Sequence, residues 1–395
     1  FDGKFFIMDS LIHIDEYKIF DKSNDSSSIT LTSLSGSYLS LINQSSFYPF
    51  IYDLQNKSLI QFKGKAKNIQ KPTAIDISFD KQFVVTGHED GSIFLWSTTK
   101  NFSLIKDFKK NHKSSITFVG FCKNGDLPAI IAVDSNGLIT YIVFSITLGI
   151  TIFQESIIYD SGKTVKQLVT SKQNAPFQIG FLVFENYYIK FYNDDSKWVF
   201  EQSENFEQQP TLSLYQRNVD FFFTVVSGSN ISIYQLVSKK DKYSFLSTQE
   251  KNGNIVYLNY LSPTLLVYQT VDGHMTMMNT KGDIIYQYKY DKFAELYKNT
   301  LYVNSFNEKL LFITNDSYYT FSFVQWEELI NKMADDNKYT KAFGSLSEIY
   351  FGLNQSFIGV PSNSSRKRMK VLELAKKLYI NYFLKAFEKE DKETI

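Results

Sequence analysis

Four histidines, His13, His88, His112 and His274, and one cysteine, Cys122, are the residues of this 395-residue chain best suited to metal or nucleophilic chemistry. Neither use fits their spacing. No HExxH is present, and no pair of histidines stands at metal-ligand spacing. A lone cysteine forms no internal disulfide and no multi-Cys zinc site, and it suits a reducing, cytosolic compartment. GxSxG, P-loop and GxGxxG patterns are absent. Asp76, Asp80, Asp90, Asp134 and Asp272 read as turn residues, whose side chains cap local N–H groups, rather than as an acid–base pair. The sequence thus offers no catalytic, cofactor-binding or metal residue, and the expectation is that the chain is not an enzyme and needs no cofactor. The rival from that class is a propeller glycosidase or lyase with charged residues around its channel.

Charge excludes a second class. With 42 basic and 41 acidic residues the formal net charge is +1, without the basic excess that tracks phosphates, so nucleic acid is not an expected partner. One basic run, Arg366, Lys367, Arg368 and Lys370 followed by Lys376 and Lys377, reads either as the solvated face of a helix or as a contact to anionic lipid or an acidic partner. The apolar stretch Leu138–Phe153 is shorter than the roughly 20 residues of a membrane-spanning helix, and its threonines and Gly149 predict two buried strands. The chain opens at Phe1 without a methionine and shows no signal peptide, which reads as a segment of a longer protein.

The elements that position these residues are mostly strands. Phe and Tyr number 36 and 26 against 7 Pro and 18 Gly, a bias towards half-buried pleated backbone that an AT-rich genome would also strengthen. From Thr73 to His112, Ala74–Phe79, Phe83–Gly87, Ser92–Ser97 and Leu104–Phe108 make four short strands, with Glu89-Asp90-Gly91 turning the central hairpin. That is the pattern of a WD-repeat blade. Thr86, Asp90, Gly91, Trp96 and His112 form its structural signature, although Ser97 replaces the usual Asp and Asn111-His112 the usual Gly-His. His112 is expected to hydrogen-bond within its blade, and Trp96 to pack near Thr86 and Asp90.

The central turn recurs at Asn43–Ser46, Asp90-Gly91, Asp134–Gly137, Glu185-Asn186, Ser227–Asn230, Asp272-Gly273 and Asn307-Glu308. Most intervals are about 43 to 49 residues, near the roughly 40–45 of such blades. Seven turns imply a mainly β fold, a seven-bladed WD-repeat-like β-propeller over residues 1–325, with six or eight blades as alternatives. Lys4–Phe20 would supply the strand that closes the ring with the last blade.

Beyond Phe323 the apolar period changes from 2 to 3.6. Trp326, Leu329, Ile330 and Met333 share one helical face; Tyr339, Ala342, Phe343, Leu346 and Tyr350 share another. After Pro361, the cluster Ser362–Ser365 caps a long helix with two neighbouring stripes, Leu372, Ala375, Tyr379, Phe383 and Val371, Leu374, Leu378, Tyr382. So wide an apolar face needs partners. Residues 326–395 are therefore expected to begin an α-solenoid that continues beyond Ile395.

Ala74–Phe79, Gly91–Trp96, Asn111-His112, Ile116–Phe121 and Asp134–Leu138, in that order and spacing, resemble the propeller of the vacuolar protein sorting-associated protein 8 family, subunits of the endosomal tether CORVET. Ile51–Gln55 fits the preceding blade. Trp326-Glu327-Glu328, Lys341-Ala342-Phe343 and Val360–Lys367 are similar to that family's passage into its solenoid, while Gln173–Asn315 matches in rhythm alone. The resemblance implies a scaffold that joins other tethering-complex subunits and binds an endosomal Rab GTPase in its GTP state. It implies a cytosolic protein held peripherally on early endosomal or vesicle membranes through its partners. No Rab-contact residue carries over. A HOPS, vesicle-coat or ciliary-transport subunit of the same propeller–solenoid build is the nearest alternative.

Overall fold

A computed structural model describes residues 12–19, 28–63, 69–99, 101–109, 111–124, 127–147, 150–160, 162, 164–170, 180–184, 189–192, 198–202, 210–217, 220–237, 242–250, 253–262, 265–289, 296, 298–306, 309–353, 357–361 and 363–393. Two compact units emerge: Glu16–Tyr319, and Phe1–Asp15 with Thr320–Ile395.

Among the described residues the strands form seven four-stranded antiparallel sheets. The first takes Ile29–Ser35, Tyr38–Asn43, Phe50–Asp53 and Ser58–Gln61 in order. The second takes Pro72–Ile77, Phe83–His88, Ile93–Ser97 and Ser103–Phe108, and the third Ile116–Asn124, Leu127–Asp134, Leu138–Thr147 and Ile150–Asp160. The fourth, fifth and sixth begin at Val165–Thr170, Thr211–Arg217 and Ile255–Ser262. In the seventh the order is Thr300–Phe306, Lys309–Thr314, Ser317–Phe323 and then Ile12–Lys18 at the outer edge. The first strand of each sheet lies against the first strand of the next, and Thr300–Phe306 returns to Ile29–Ser35. The fold is mainly β and propeller-like.

Alternate residues explain why strands read as near-continuous apolar runs. Successive side chains of a strand point to opposite faces, and here both faces pack on a neighbouring sheet. From Ile93–Ser97, Phe94 and Trp96 join Ile42, Ile51 and Phe62 of the first sheet's side. Ile93 and Leu95 turn the other way, towards Ile116, Ile130 and Phe144. All five residues of that strand are buried.

The seam between the last and first sheets is aromatic. Tyr17 stacks on Tyr318 at 4.9 Å, Tyr52 meets Tyr318 edge-on at 5.7 Å, and the Tyr319 hydroxyl donates to Glu16 at 2.9 Å. In the seventh sheet the turn equivalent to Asp90-Gly91 is Asn315-Asp316, between Lys309–Thr314 and Ser317–Phe323. Asn307-Glu308, expected there, lies outside the described residues, as does Glu185-Asn186. The blade period itself favours the later pair: Asn315 lies 43 residues after Asp272, and Asn307 lies 35 after it.

Three helices follow: α1 (Trp326–Asp335), α2 (Tyr339–Phe351) and α3 (Ser364–Glu393). Asn337 at φ 60° and Gly352 at φ 72° end the first two, the left-handed conformation common after a helix. Asn363 caps the third, its Oδ1 accepting the Arg366 N–H at 3.0 Å. Trp326, Ile330, Ala342, Leu346, Ile349, Val371 and Leu378 form a shared core. Of the two stripes on α3, Val371 and Leu378 are buried in that core, with Leu374 and Ala375 packed against it, whereas Leu372, Tyr379, Phe383 and Tyr382 are exposed.

Candidate functional site

The second and third sheets hold the densest set of buried polar side chains with a sequence signature. Trp96 and Thr86 lie on adjacent strands, and the indole N–H donates to Thr86 Oγ1 at 3.0 Å. Thr86 Oγ1 lies 2.9 Å from His88 Nε2, and His88 Nδ1 lies 2.7 Å from the Gln70 carbonyl. Because that carbonyl can only accept, Nδ1 carries the proton, and Nε2 accepts the Thr86 hydroxyl. Every donor is matched with the imidazole neutral. Burial drives the His88 pKa down to about 4, against the opposing pull of the Gln70 carbonyl.

Asp90 closes its own turn instead of meeting Trp96. Its Oδ1 accepts the Ser92 N–H at 3.1 Å and the Ser92 hydroxyl at 2.5 Å. Burial works to raise its pKa, but the Ser92 bonds outweigh it and hold the carboxyl below its ordinary value. Gly91 has φ +80°, and a Cβ there would come within 2.6 Å of the His112 carbonyl oxygen. Glycine is required on both counts.

His112 departs from expectation. Its side chain belongs to the third sheet: Nδ1 is 3.0 Å from Asp134 Oδ2 and Nε2 is 2.8 Å from Thr140 Oγ1. The residue follows the last strand of the second sheet, so the chain has already crossed to the next sheet when it arrives. His88, inside the second strand, takes the place beside Thr86 that a Gly-His histidine would fill. Sequence order assigned His112 to the preceding strands; three-dimensional order assigns it to the following ones.

The turn reading also fails for Asp76. Asp80, Asp134 and Asp272 accept hydrogen bonds within their turns, but Asp76 is buried in the first strand of its sheet. Oδ1 accepts from the Ser33 hydroxyl at 2.5 Å and Oδ2 from the Phe121 N–H at 2.8 Å, 43 residues behind and 45 ahead. Gln167 holds the backbone of Leu212 at 3.1 Å, 45 residues on, and Asn259 donates to the Val303 carbonyl at 3.1 Å, 44 residues on. Three polar side chains thus bridge neighbouring first strands, Asp76 spanning the first three sheets, Gln167 the fourth and fifth, and Asn259 the sixth and seventh. The sequence signal was available: single polar residues inside first strands, about two blade periods apart, with partners one period away.

The basic run on α3 is partly spent inside the helical unit. Lys370 Nζ donates to Glu327 Oε1 of α1 at 2.7 Å, and the Arg368 guanidinium lies 5.4 Å from the Tyr350 ring centre on α2. Among the described residues no group of three or more His, Cys, Asp and Glu could hold a metal ion, and none of the described helices is long and apolar enough to cross a membrane. The described side chain of His274 pairs with Asp272 at 2.8 Å in an exposed turn. The side chain of His13 lies outside the described residues. The polar residues singled out by type are thus engaged in holding strands and turns, which leaves loops, edges and the exposed helix stripe as the surfaces for recognition.

A family model described as the Vps8 beta-propeller matches residues 19–178. That span holds the first three sheets with the polar network above. No curated protein sequence matches. Among solved structures, the beta-propeller domain of Myceliophteria thermophila Cps50 (Swd1) superimposes with a TM-score of 0.53 at 9% identity, covering 78% of this chain and 100% of that one. The fold is that of a β-propeller. A chain of the Mitotic Checkpoint Complex gives 0.55 at 10% identity, and the Dos1 propeller 0.52 at 12%; each pairing covers 78% of this chain and 93% of the other. At such identities the likeness is one of fold alone.

Proposed function

We propose that this chain is a seven-bladed propeller, residues 1–325, joined to the start of an α-solenoid, residues 326–395, in a non-catalytic scaffold of endosomal vesicle tethering. It would be a CORVET-like subunit that recognises a GTP-bound endosomal Rab GTPase and the core tether subunits. The observation that carries this reading is the Vps8 beta-propeller match across residues 19–178. The seven four-stranded sheets, whose first strands meet in succession, support the blade count. For the solenoid, the support is α3, whose inward stripe is filled by α1 and α2 while Leu372, Tyr379, Phe383 and Phe387 remain exposed. Stacked helix pairs bury such a face against the next pair. Loops on a rigid scaffold suit recognition, and a stiff helical arm suits holding that surface away from an anchoring core.

The test is a pulldown of the chain with an endosomal Rab loaded with GTP or GDP, with and without residues 326–395. GTP-selective capture is expected. Absent or nucleotide-independent capture by both forms would remove direct Rab recognition from the reading.

A further inference from the structure

The formal net charge of +1 conceals an uneven distribution. Strands alternate in direction within each sheet, so the connection to the next sheet lies at the same end as the turn between the second and third strands. Backbone bonds tie the two kinds of segment together. The Phe62 N–H donates to the Pro49 carbonyl at 3.0 Å, that of Glu89 to Lys71 at 3.1 Å, and that of Ser135 to Ser115 at 2.8 Å. These segments make one face of the unit Glu16–Tyr319. The three connections that follow the first, second and third sheets, residues 62–71, 109–115 and 161–164, contain eight lysines and no Asp, Glu or Arg. The other four, residues 19–28, 203–210, 251–254 and 290–299, hold four lysines against six acidic residues. At the opposite end of the first three sheets, the turns at 36–37, 54–57, 78–82, 98–102, 125–126 and 148–149 carry three lysines and two aspartates. Basicity is thus confined to one sector of one face. Among the described residues Lys63, Lys71, Lys109 and Lys113 are exposed there, as is Lys166 in the fourth sheet's first strand. Lys71 lies 3.9 Å from Glu89 and Lys109 lies 3.6 Å from Asp107, solvent-exposed pairs that hold weakly.

We propose that this sector docks on an anionic lipid bilayer. Its cations are all lysine. Arginine grips a single carboxylate or phosphate with a paired fork, whereas lysine is a hydrated point charge. Point charges suit a layer of mobile anionic headgroups, which offers charge density without fixed geometry. A folded acidic partner or a nucleic acid would call for the fork. The same face also presents an apolar group: Phe47, 46% exposed, stands in the turn that Pro49 ties to Phe62, next to Lys63. An aromatic side chain among lysines is the composition of segments that settle at the headgroup boundary. The contact stands apart from the tether reading, in which partners bring the chain to the membrane.

Flotation of the whole chain with vesicles tests it. Phosphatidylcholine vesicles with about 30% phosphatidylserine should capture the chain, and pure phosphatidylcholine should not. Raising the salt from about 0.1 to 0.5 M should release it, because the attraction is screened. Lys63→Glu, Lys113→Glu and Lys166→Glu together should lower the partition coefficient by about tenfold or more, with an unchanged thermal melt, since all three side chains are exposed. Lys281→Glu, Lys289→Glu and Lys309→Glu, exposed in the sixth and seventh sheets, change the net charge equally and should leave capture intact. Phe47→Ser should weaken capture at low salt. Equal capture by both vesicle types, capture by neither, or equal losses in the two lysine triples would each overturn the proposal. So would binding of duplex RNA or polyglutamate by a chain that ignores the vesicles, which would give the face to another class of partner.

Discussion

Thr86→Val isolates the chain of hydrogen bonds through Trp96, Thr86 and His88. Valine keeps the branched shape and exchanges the hydroxyl for a methyl, so no cavity opens. Two buried polar atoms then lose their common partner: the Trp96 indole N–H, 3.0 Å from Thr86 Oγ1, and His88 Nε2, 2.9 Å away. Leaving a buried donor or acceptor unpaired costs about 1–3 kcal/mol, so the pair should cost about 2–6 kcal/mol together. For a domain of this size that lowers the melting temperature by roughly 2–4 °C per kcal/mol. Thr86→Ser is the control: it retains the hydroxyl and loses one methyl group, a change of about 1 kcal/mol. Urea denaturation followed by tryptophan fluorescence and calorimetry on all three proteins measures both changes. Thr86→Val within about 0.5 kcal/mol of the parent, or no worse than Thr86→Ser, would refute the claim that this hydroxyl satisfies both neighbours.

Acid should weaken the same region. His88 has a folded pKa of about 4 against about 6.5 unfolded, so between those values the unfolded chain takes up a proton that the folded one refuses. Stability is full above pH 6.5, falls by about 3 kcal/mol as the pH drops towards 4, and then levels; urea midpoints across that range, compared with His88→Gln, test it. Gly91→Ala combines a positive φ with a Cβ 2.6 Å from the His112 carbonyl and should cost at least about 2 kcal/mol, read by the same denaturation. Leu378→Asp, in the core of the three helices, should unfold them and leave the melt of the sheets in place. Tyr379→Asp with Phe383→Asp, both exposed, should preserve helicity by circular dichroism but abolish co-purification with other tether subunits.

The repeat was legible because each hairpin turn needs particular residues: Asp90-Gly91 and Asp272-Gly273 bring positive φ and a side-chain acceptor, and those show in any sequence. The helices were legible from the switch of apolar period at Trp326 and from Asn363 beside its capped helix. What stayed hidden depends on which strand neighbours which. Asp76 looks like one more turn aspartate until Ser33 and Phe121 are brought to its two oxygens. His112 could be given to either adjoining sheet, since its side chain swings forward to Asp134 and Thr140. The two stripes of α3 are equally apolar, and only packing against α1 and α2 distinguishes Leu378, inward, from Tyr379, outward. Likewise Ile150 and Ile142 are indistinguishable by type; one is at the margin of its sheet and the other in the middle.

The seventh sheet sets a clock on biosynthesis. Its outermost strand is Ile12–Lys18, which leaves the ribosome well before its partner, Ser317–Phe323. The bond from Tyr319 to Glu16 spans 303 residues. At about 5–20 residues per second, translation separates the two partners by roughly 15 to 60 seconds. Throughout that interval Tyr17, and the apolar faces of the first sheet that later meet Leu311 and Ile313, have no native cover. The seventh sheet therefore closes only after Ser317–Phe323 has been made, long after the strand that completes it.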